Sequence, residues 1–167
     1  MKIAVAFFGI PRNSSICFPS IEQNIYRYLP RSAQVRSYYH LYEPQLVNNP
    51  RSGENGFIGE SNYLPFARME GRLEEAGACL KCWDFDEIKK HGDVWRDDFK
   101  SVSNLIHQLN SLHAVTALVD GFEPDVVLFV RPDPTCSITI PCPGSCLTPV
   151  QRIAARSTSL IGNGGMV

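Results

Sequence analysis

Two short motifs combine residue types that suit the binding of a phosphate group. They are Gly9-Ile-Pro-Arg12 and Arg131-Pro-Asp133, and each directly follows an apolar run. Gly9 allows a ligand to approach the backbone closely, and an arginine presents a planar fork that matches phosphate oxygens. Asp133 has the oxygen ligands that a divalent cation takes, and it can also accept a hydrogen bond from a hydroxyl group. The same residues also fit ordinary polar strand ends, with Arg131 and Asp133 joined in a local ion pair.

The elements that must position these motifs alternate between strands and helices. Continuous apolar runs at residues 3–8 and 126–130 predict two parallel strands that are buried on both faces. Between them we first expect a helix that starts after Ser20, with a Ser20–Gln23 capping box, and stops at Pro30. A strand over Val35–Leu41 and a long loop over 43–72 should follow. We then expect a short helix that is capped by Asp84 and ended by Gly92, and a long helix over Asp98–Asp120 with Gly121 as its C′ residue. This order predicts an α/β fold with an open, mainly parallel sheet and flanking helices, and ligands bind such sheets at the carboxyl ends of the strands.

The composition of the chain changes near residue 133. All 17 acidic residues lie at or before Asp133, whereas the last 34 residues carry only Arg152 and Arg156 as charges. That last stretch also holds three of the six cysteines and four of the twelve prolines, without a helical or strand period. We therefore expect one α/β domain over residues 1–133 and an irregular tail over 134–167, which we interpret as an aberrant or out-of-frame terminus.

Length, charge and hydropathy exclude several classes of protein. A length of 167 residues suits one domain, and a net charge of −1 argues against a generally basic nucleic-acid binder. No apolar run reaches the ~18 residues of a transmembrane helix. The apolar run at residues 3–10 is short for a signal peptide and ends in Pro11-Arg12 without a cleavage site of small residues. These features predict a cytoplasmic protein.

The cysteines and histidines offer an alternative chemistry. Cys79-x-x-Cys82 and Cys142-x₃-Cys146 are two pairs that could share a zinc ion, although their separation exceeds that of common zinc ribbons and fingers.

Among the histidines, the helical spacing predicts a partly buried His113 and a solvent-facing His107. His40 ends a predicted strand, where it faces either the ligand edge or solvent. No nucleophile, base and acid set can be assembled from spacing alone.

The opening Met-Lys-Ile-Ala-Val-Ala-Phe-Phe-Gly-Ile-Pro-Arg and the later Pro-Asp-Val-Val-Leu-Phe-Val-Arg-Pro-Asp together resemble a bacterial family over residues 1–133. The family is that of the nucleotide-diphosphosugar glycosyltransferases of envelope and capsular polysaccharide synthesis, with a GT-A-like fold. The resemblance implies a donor pocket lined by Gly9, Arg12, Arg131 and Asp133, and transfer of the sugar to a saccharide acceptor.

The chain departs from the family pattern at two points. Such enzymes commonly carry Asp-x-Asp for a metal-bound diphosphate, whereas the first position here is Arg131, which itself supplies positive charge. Two possibilities therefore stay open: a site that holds Mn²⁺ or Mg²⁺ at Asp133, and a site that works without a metal ion. Members of the family also continue beyond the strand that ends at the Arg131 motif, with residues that bind the acceptor and supply the base. This chain has its tail there, so no catalytic base can be named. Three hypotheses follow: a truncated glycosyltransferase, a non-catalytic α/β remnant with weak nucleotide binding, and a cysteine-based zinc-binding module.

Overall fold

A computed structural model of the chain describes residues 1–43, 47–49 and 54–136, with the backbone alone at 47–49 and 54–55. The strands are β1 (Lys2–Gly9), β2 (Gln34–Glu43), β3 (Val47–Asn49), β4 (Glu54–Gly56), β5 (Glu70–Glu75) and β6 (Val126–Val130). The α-helices are α1 (Ser14–Asn24), α2 (Ala78–Cys82), α3 (Phe85–Lys89) and α4 (Lys100–Asp120), and short 3₁₀ turns lie at Tyr26–Tyr28, Glu60–Asn62 and Leu64–Phe66.

Four of the strands form one parallel sheet in the order β5-β2-β1-β6, and β3 pairs with β4 in a separate antiparallel ribbon. The expected α/β fold with an open parallel sheet and flanking helices is therefore confirmed. Predicted strands at residues 3–8, 35–41 and 126–130 correspond to β1, β2 and β6. The predicted tail lies outside the described residues from position 137 onward.

Strand β1 is the centre of the sheet, and its side chains alternate between two cores. Val5 and Phe7 face one side, where they pack with residues of α1 and of the 3₁₀ turn before β5. Ala4 and Ala6 face the other side and pack against α4. The period of two that defines a strand therefore places one helical layer on each face of the sheet, and small alanines leave room for α4 to lie close.

Strand β5 was not expected: its first three residues lie in the segment 43–72 that we predicted as a long loop, and no strand was predicted for the other three. Glu-Gly-Arg-Leu-Glu-Glu holds one apolar residue, so it shows neither the alternation nor the β-branched residues of a typical strand. The strand is an edge strand and pairs only with β2 among the described elements. At Gly71 an added Cβ would lie 2.0 Å from the carbonyl oxygen of Tyr39. Glycine is therefore required for the close approach of β5 to β2.

Helix α1 begins at Ser14, seven residues before the predicted start. The predicted Ser20–Gln23 capping box is wrong, since both residues lie inside the helix. Pro19 also lies inside it, although proline lacks the amide proton that an interior position uses. Buried Phe18 packs in the core under this helix. Burial of an apolar face thus outweighs the local signals, as is usual for short helices in proteins.

The chain continues to contact α1 after β6 ends. The Ser20 hydroxyl accepts a hydrogen bond from the amide of Cys136 at 2.9 Å, and the Asn24 amide donates to the Cys136 carbonyl at 2.8 Å. The Cys17 thiol donates to the carbonyl of Asp133 at 3.1 Å. These contacts hold the segment that follows the Arg131 motif against the first helix.

Two further differences concern α4 and the strand that follows it. The predicted helix over Asp98–Asp120 is confirmed with a start at Lys100, but Gly121 is right-handed and the positive φ falls on Glu123 instead. Strand β6 was predicted to be buried on both faces, and this prediction is wrong. It lies at the sheet edge, with Val126 and Phe129 41% and 47% exposed.

Candidate functional site

A cavity of about 410 Å³ opens at the carboxyl edge of the sheet, between the ends of β1, β2 and β6 and the first half of α4. Its wall on the sheet side includes Gly9, Arg12 and Arg131, which the sequence predicted as ligand-binding residues. Two motifs separated by more than a hundred residues thus meet at one site, because parallel strands end at the same edge. Asp133, the fourth predicted residue, is not among the residues that line the cavity.

Buried prolines hold both arginines at the strand ends. Pro11 precedes Arg12, Pro132 follows Arg131, and both rings are fully buried. Their fixed φ angles restrict the backbone where each strand leaves the sheet. Gly9 has a φ of 102°, in the left-handed region that favours glycine, so β1 turns sharply into the cavity.

Asp133 pairs with Arg131 rather than with the cavity. The Arg131 Nε donates to one carboxylate oxygen at 3.0 Å, and a terminal nitrogen donates to the other at 2.6 Å. This two-point contact fixes the plane of the guanidinium group. The local ion pair that sequence spacing left open is therefore present. Both oxygens of the carboxylate that we considered for Mn²⁺ or Mg²⁺ therefore take part in this ion pair.

The opposite wall of the cavity comes from α4 and the segment before it. Ser101, Asn104 and Gln108 follow each other at intervals of three and four, so they share one helical face, and Trp95 completes the wall. The Asp97 carboxylate accepts hydrogen bonds from the Ser101 amide at 3.2 and 3.3 Å, so it satisfies one of the amides in the first turn of α4 that have no partner within the helix. This wall is uncharged, and none of the described residues that line the cavity is acidic.

His107 also lines the cavity, although the sequence predicted that it faces solvent. Its Nδ1 donates to the carbonyl of Ser103 at 2.7 Å, and its Nε2 accepts from the amide of Gly77 at 3.1 Å. The ring also stands edge-on to Tyr42 at 5.0 Å. Both ring nitrogens are therefore used by the fold, in the neutral tautomer. The predicted burial of His113 is wrong in turn, since His113 is exposed.

A buried polar network supports the cavity from behind. The Gly9 amide donates to the Ser111 hydroxyl oxygen at 2.8 Å, and that hydroxyl donates to the carbonyl of His40 at 2.6 Å. The His40 ring lies 3.0 Å from Ser111 Oγ through Nδ1 and 2.9 Å from a Glu74 oxygen through Nε2. Burial lowers the pKa of His40, and the Glu74 carboxylate opposes that shift. His40 is thus neither a ligand-edge residue nor a solvated strand end.

The order serine, histidine, glutamate in this network resembles that of a catalytic triad, but its geometry does not provide a nucleophile. Ser111 is completely buried, and its hydroxyl proton is committed to a carbonyl group. A triad serine instead presents its oxygen to a substrate. We conclude that the network positions Gly9 and the end of β2.

Tyr42 connects this network to the cavity that it lines. Its hydroxyl accepts from the side-chain amide of Asn110 at 2.8 Å and donates to the Cys79 sulfur at 3.5 Å. Burial raises the pKa values of both Tyr42 and Cys79, so both groups stay protonated. The Asn110 amide also lies 3.4 Å from Glu74, which ties the two parts of the network together.

The structure describes one of the two cysteine pairs of the predicted zinc site. Cys79 is buried beside Tyr42, whereas Cys82 is exposed and its thiol points to the carbonyl of Ala78. Within residues 1–43, 47–49 and 54–136, no group of three or more histidine, cysteine or acidic side chains could hold a metal ion. Cys142 and Cys146 lie outside the described residues.

Sequence reasoning missed the uncharged wall and the buried network. No local pattern places Glu74 beside His40, because that contact depends on the unexpected strand β5. The helical period of α4 was visible, but the rotation of the helix against the sheet was not.

In the part of the chain that the structure describes, no helix has the length and apolar character needed to cross a membrane. No protein-family model, curated protein or solved structure matches the chain.

Proposed function

We propose that the cavity binds a nucleotide-diphosphosugar and that the protein is a glycosyltransferase of the kind that its two motifs resemble, with a saccharide as acceptor. The observation that carries the proposal is the meeting of Gly9, Arg12 and Arg131 in one cavity at the carboxyl edge of the sheet. Arginine, which binds phosphate oxygens through a planar fork, occurs twice among the residues that line the cavity, so the lining suits a ligand with two phosphates.

The arginines would also serve the chemistry. Departure of the sugar leaves negative charge on the nucleoside diphosphate, and preorganised cationic donors stabilise such charge in the transition state. The Arg131–Asp133 pair holds one of these donors in a fixed plane. We derive no step through Mn²⁺ or Mg²⁺, because Asp133 is committed to Arg131.

A binding function without turnover is a second candidate. Both nitrogens of His107 take part in the fold, and the Asp133 carboxylate pairs with Arg131. Neither group is therefore presented to the cavity as a general base, which inverting transfer would need. Within residues 1–136, this is the observation that supports a non-catalytic remnant as the second candidate.

Calorimetric titration tests the binding part of the proposal. The purified protein is titrated with uridine diphosphate and guanosine diphosphate, each with and without Mn²⁺, and with uridine as a control that lacks phosphate. We expect a nucleoside diphosphate to bind without Mn²⁺ and uridine to bind far more weakly. Equal affinity for uridine, or no binding of either diphosphate, would contradict the proposal.

A donor-hydrolysis assay then separates the two candidates. Release of free sugar from the nucleotide-sugar that matches the preferred diphosphate indicates an enzyme. Binding of that donor without sugar release, both with and without an oligosaccharide acceptor, indicates a binding protein.

A further inference from the structure

The two walls of the cavity differ in chemistry. The sheet side carries the charges of Arg12 and Arg131, whereas the α4 side presents only uncharged groups together with the ring of Trp95. A ligand with an anionic end and an uncharged, planar, hydrogen-bonding end would complement both walls at once. We propose that Trp95, Asn104 and Gln108 form a nucleobase subsite that sets which nucleoside diphosphate the protein prefers; this inference rests on the proposed function.

Trp95 supplies the stacking surface of this subsite. Trp95 is 51% exposed and is one of the residues that line the cavity. Bases stack on aromatic side chains with little regard to sequence, since every base has a π-face. Trp95 therefore contributes affinity for any nucleotide, but none for a ligand that consists of phosphate alone.

Asn104 and Gln108 supply the discrimination. They lie four residues apart on α4 and line the same wall. A carboxamide offers a donor and an acceptor side by side, the pattern that matches the edge of a base. A base with the complementary pattern pairs with these amides, whereas another base leaves one of their polar groups unpaired, which costs affinity.

The first test compares ligands with and without a base. Trp95→Ala is titrated with pyrophosphate and with the preferred nucleoside diphosphate. We expect the dissociation constant for the nucleotide to rise about ten- to hundredfold and that for pyrophosphate to stay unchanged. The matched control is Trp83→Ala, since Trp83 is equally exposed but is not among the residues that line the cavity.

A fluorescence measurement gives a readout independent of affinity. The chain has two tryptophans, so Trp83→Phe leaves Trp95 as the only indole. A stacked base should quench its emission at saturation, whereas saturating pyrophosphate should not. In the complementary variant Trp95→Phe, the nucleotide should leave the emission of Trp83 unchanged.

The amides are tested by comparing bases. Asn104→Ala and Gln108→Ala should reduce the ratio of affinities between uridine and guanosine diphosphate while leaving pyrophosphate binding unchanged. Gln23→Ala, on the exposed side of α1, is the matched control. Circular dichroism and thermal unfolding confirm that each variant is folded.

Two failures are distinguishable. If nucleotides and pyrophosphate bind but the Trp95 and amide variants change neither affinity nor base preference, the nucleobase subsite is overturned and the proposed function stands. If neither pyrophosphate nor any nucleoside diphosphate binds the wild-type protein, the proposed function fails and the subsite falls with it.

Discussion

At the scale of the residue, the Arg131–Asp133 pair bears most directly on the proposed diphosphate site. Both Asp133 oxygens contact the guanidinium group, so the carboxylate orients Arg131. Asp133→Asn should change the dissociation constant of a nucleoside diphosphate by less than about fivefold, since a half-exposed ion pair contributes about 1 kcal/mol or less. Calorimetry should give the same change with and without Mn²⁺.

Asp120→Asn is the control for this prediction, because Asp120 is an exposed acid at the far end of α4. A metal role for Asp133 would appear differently. Wild-type binding would strengthen with Mn²⁺, and Asp133→Asn alone would remove that dependence.

His40 gives the protein a pH-dependent stability. Burial lowers its pKa in the folded state below the ordinary 6.5, so the unfolded chain binds the proton more readily. The free energy of unfolding should therefore fall as the pH drops below 6.5 towards the folded-state pKa, and this loss should be absent above 6.5. Urea denaturation between pH 7.5 and 5.5 measures it.

His40→Gln is the comparison variant for the pH series. It removes the titrating ring, so the dependence of its unfolding free energy on pH should be shallower than that of the wild type, whatever its absolute stability. Equal slopes for the two proteins would show that His40 does not cause the effect.

At the scale of the element, the sequence predicted those strands and helices whose own residues carry the pattern of that element. β1 is a continuous apolar run, β2 is rich in β-forming residues and α4 carries a helical period, so their existence and type were predictable. β5 was not, because pairing with β2 rather than its own composition holds Glu-Gly-Arg-Leu-Glu-Glu in the sheet. The same division applies to the site. Gly9, Arg12 and Arg131 follow from strand order, whereas His107 and Trp95 depend on how α4 and its preceding segment lie against the sheet.

Gly71 is the point at which β5 depends most on one residue. A Cβ there would lie 2.0 Å from the Tyr39 carbonyl oxygen and 2.7 Å from the Tyr39 ring. Backbone cannot yield as a flexible side chain does, so Gly71→Ala should lower the free energy of unfolding by about 1–3 kcal/mol. Displacement of β5 would also weaken the contact of Glu74 with His40.

Gly121→Ala is the matched control for Gly71→Ala. Gly121 has a right-handed backbone and nothing within 4 Å of an added Cβ. Alanine there should raise the free energy of unfolding by about 0.4–1 kcal/mol, because it restricts the unfolded chain. If the two variants were equally stable in urea denaturation, the close approach of β5 to β2 would be wrong.

At the scale of the whole molecule, β6 is an edge strand of the sheet that the described strands form. Among the described elements it pairs only with β1, and Val126 and Phe129 are both substantially exposed on it. Apolar edge strands pair readily with other chains. We expect concentration-dependent association of the wild-type protein, measured by light scattering after size-exclusion chromatography.

Val126→Lys should reduce this association, because a lysine on an edge strand disfavours pairing. Val94→Lys is the control, since Val94 is exposed and lies outside every strand and helix. A wild-type protein that stays monomeric at all concentrations, or equal effects of the two lysines, would contradict an associating edge.

The central claim is that Arg12 and Arg131 bind one diphosphate at the carboxyl edge of the sheet. The most direct measurement is the affinity of Arg131→Ala for a nucleoside diphosphate, beside that of Arg31→Ala, an exposed arginine just before β2 at the opposite edge. Loss of charge-assisted hydrogen bonds of about 1.5–3 kcal/mol should weaken binding about ten- to hundredfold in Arg131→Ala. Arg31→Ala should bind as the wild type does. Unchanged affinity in Arg131→Ala, or an equal loss in both variants, would contradict the claim.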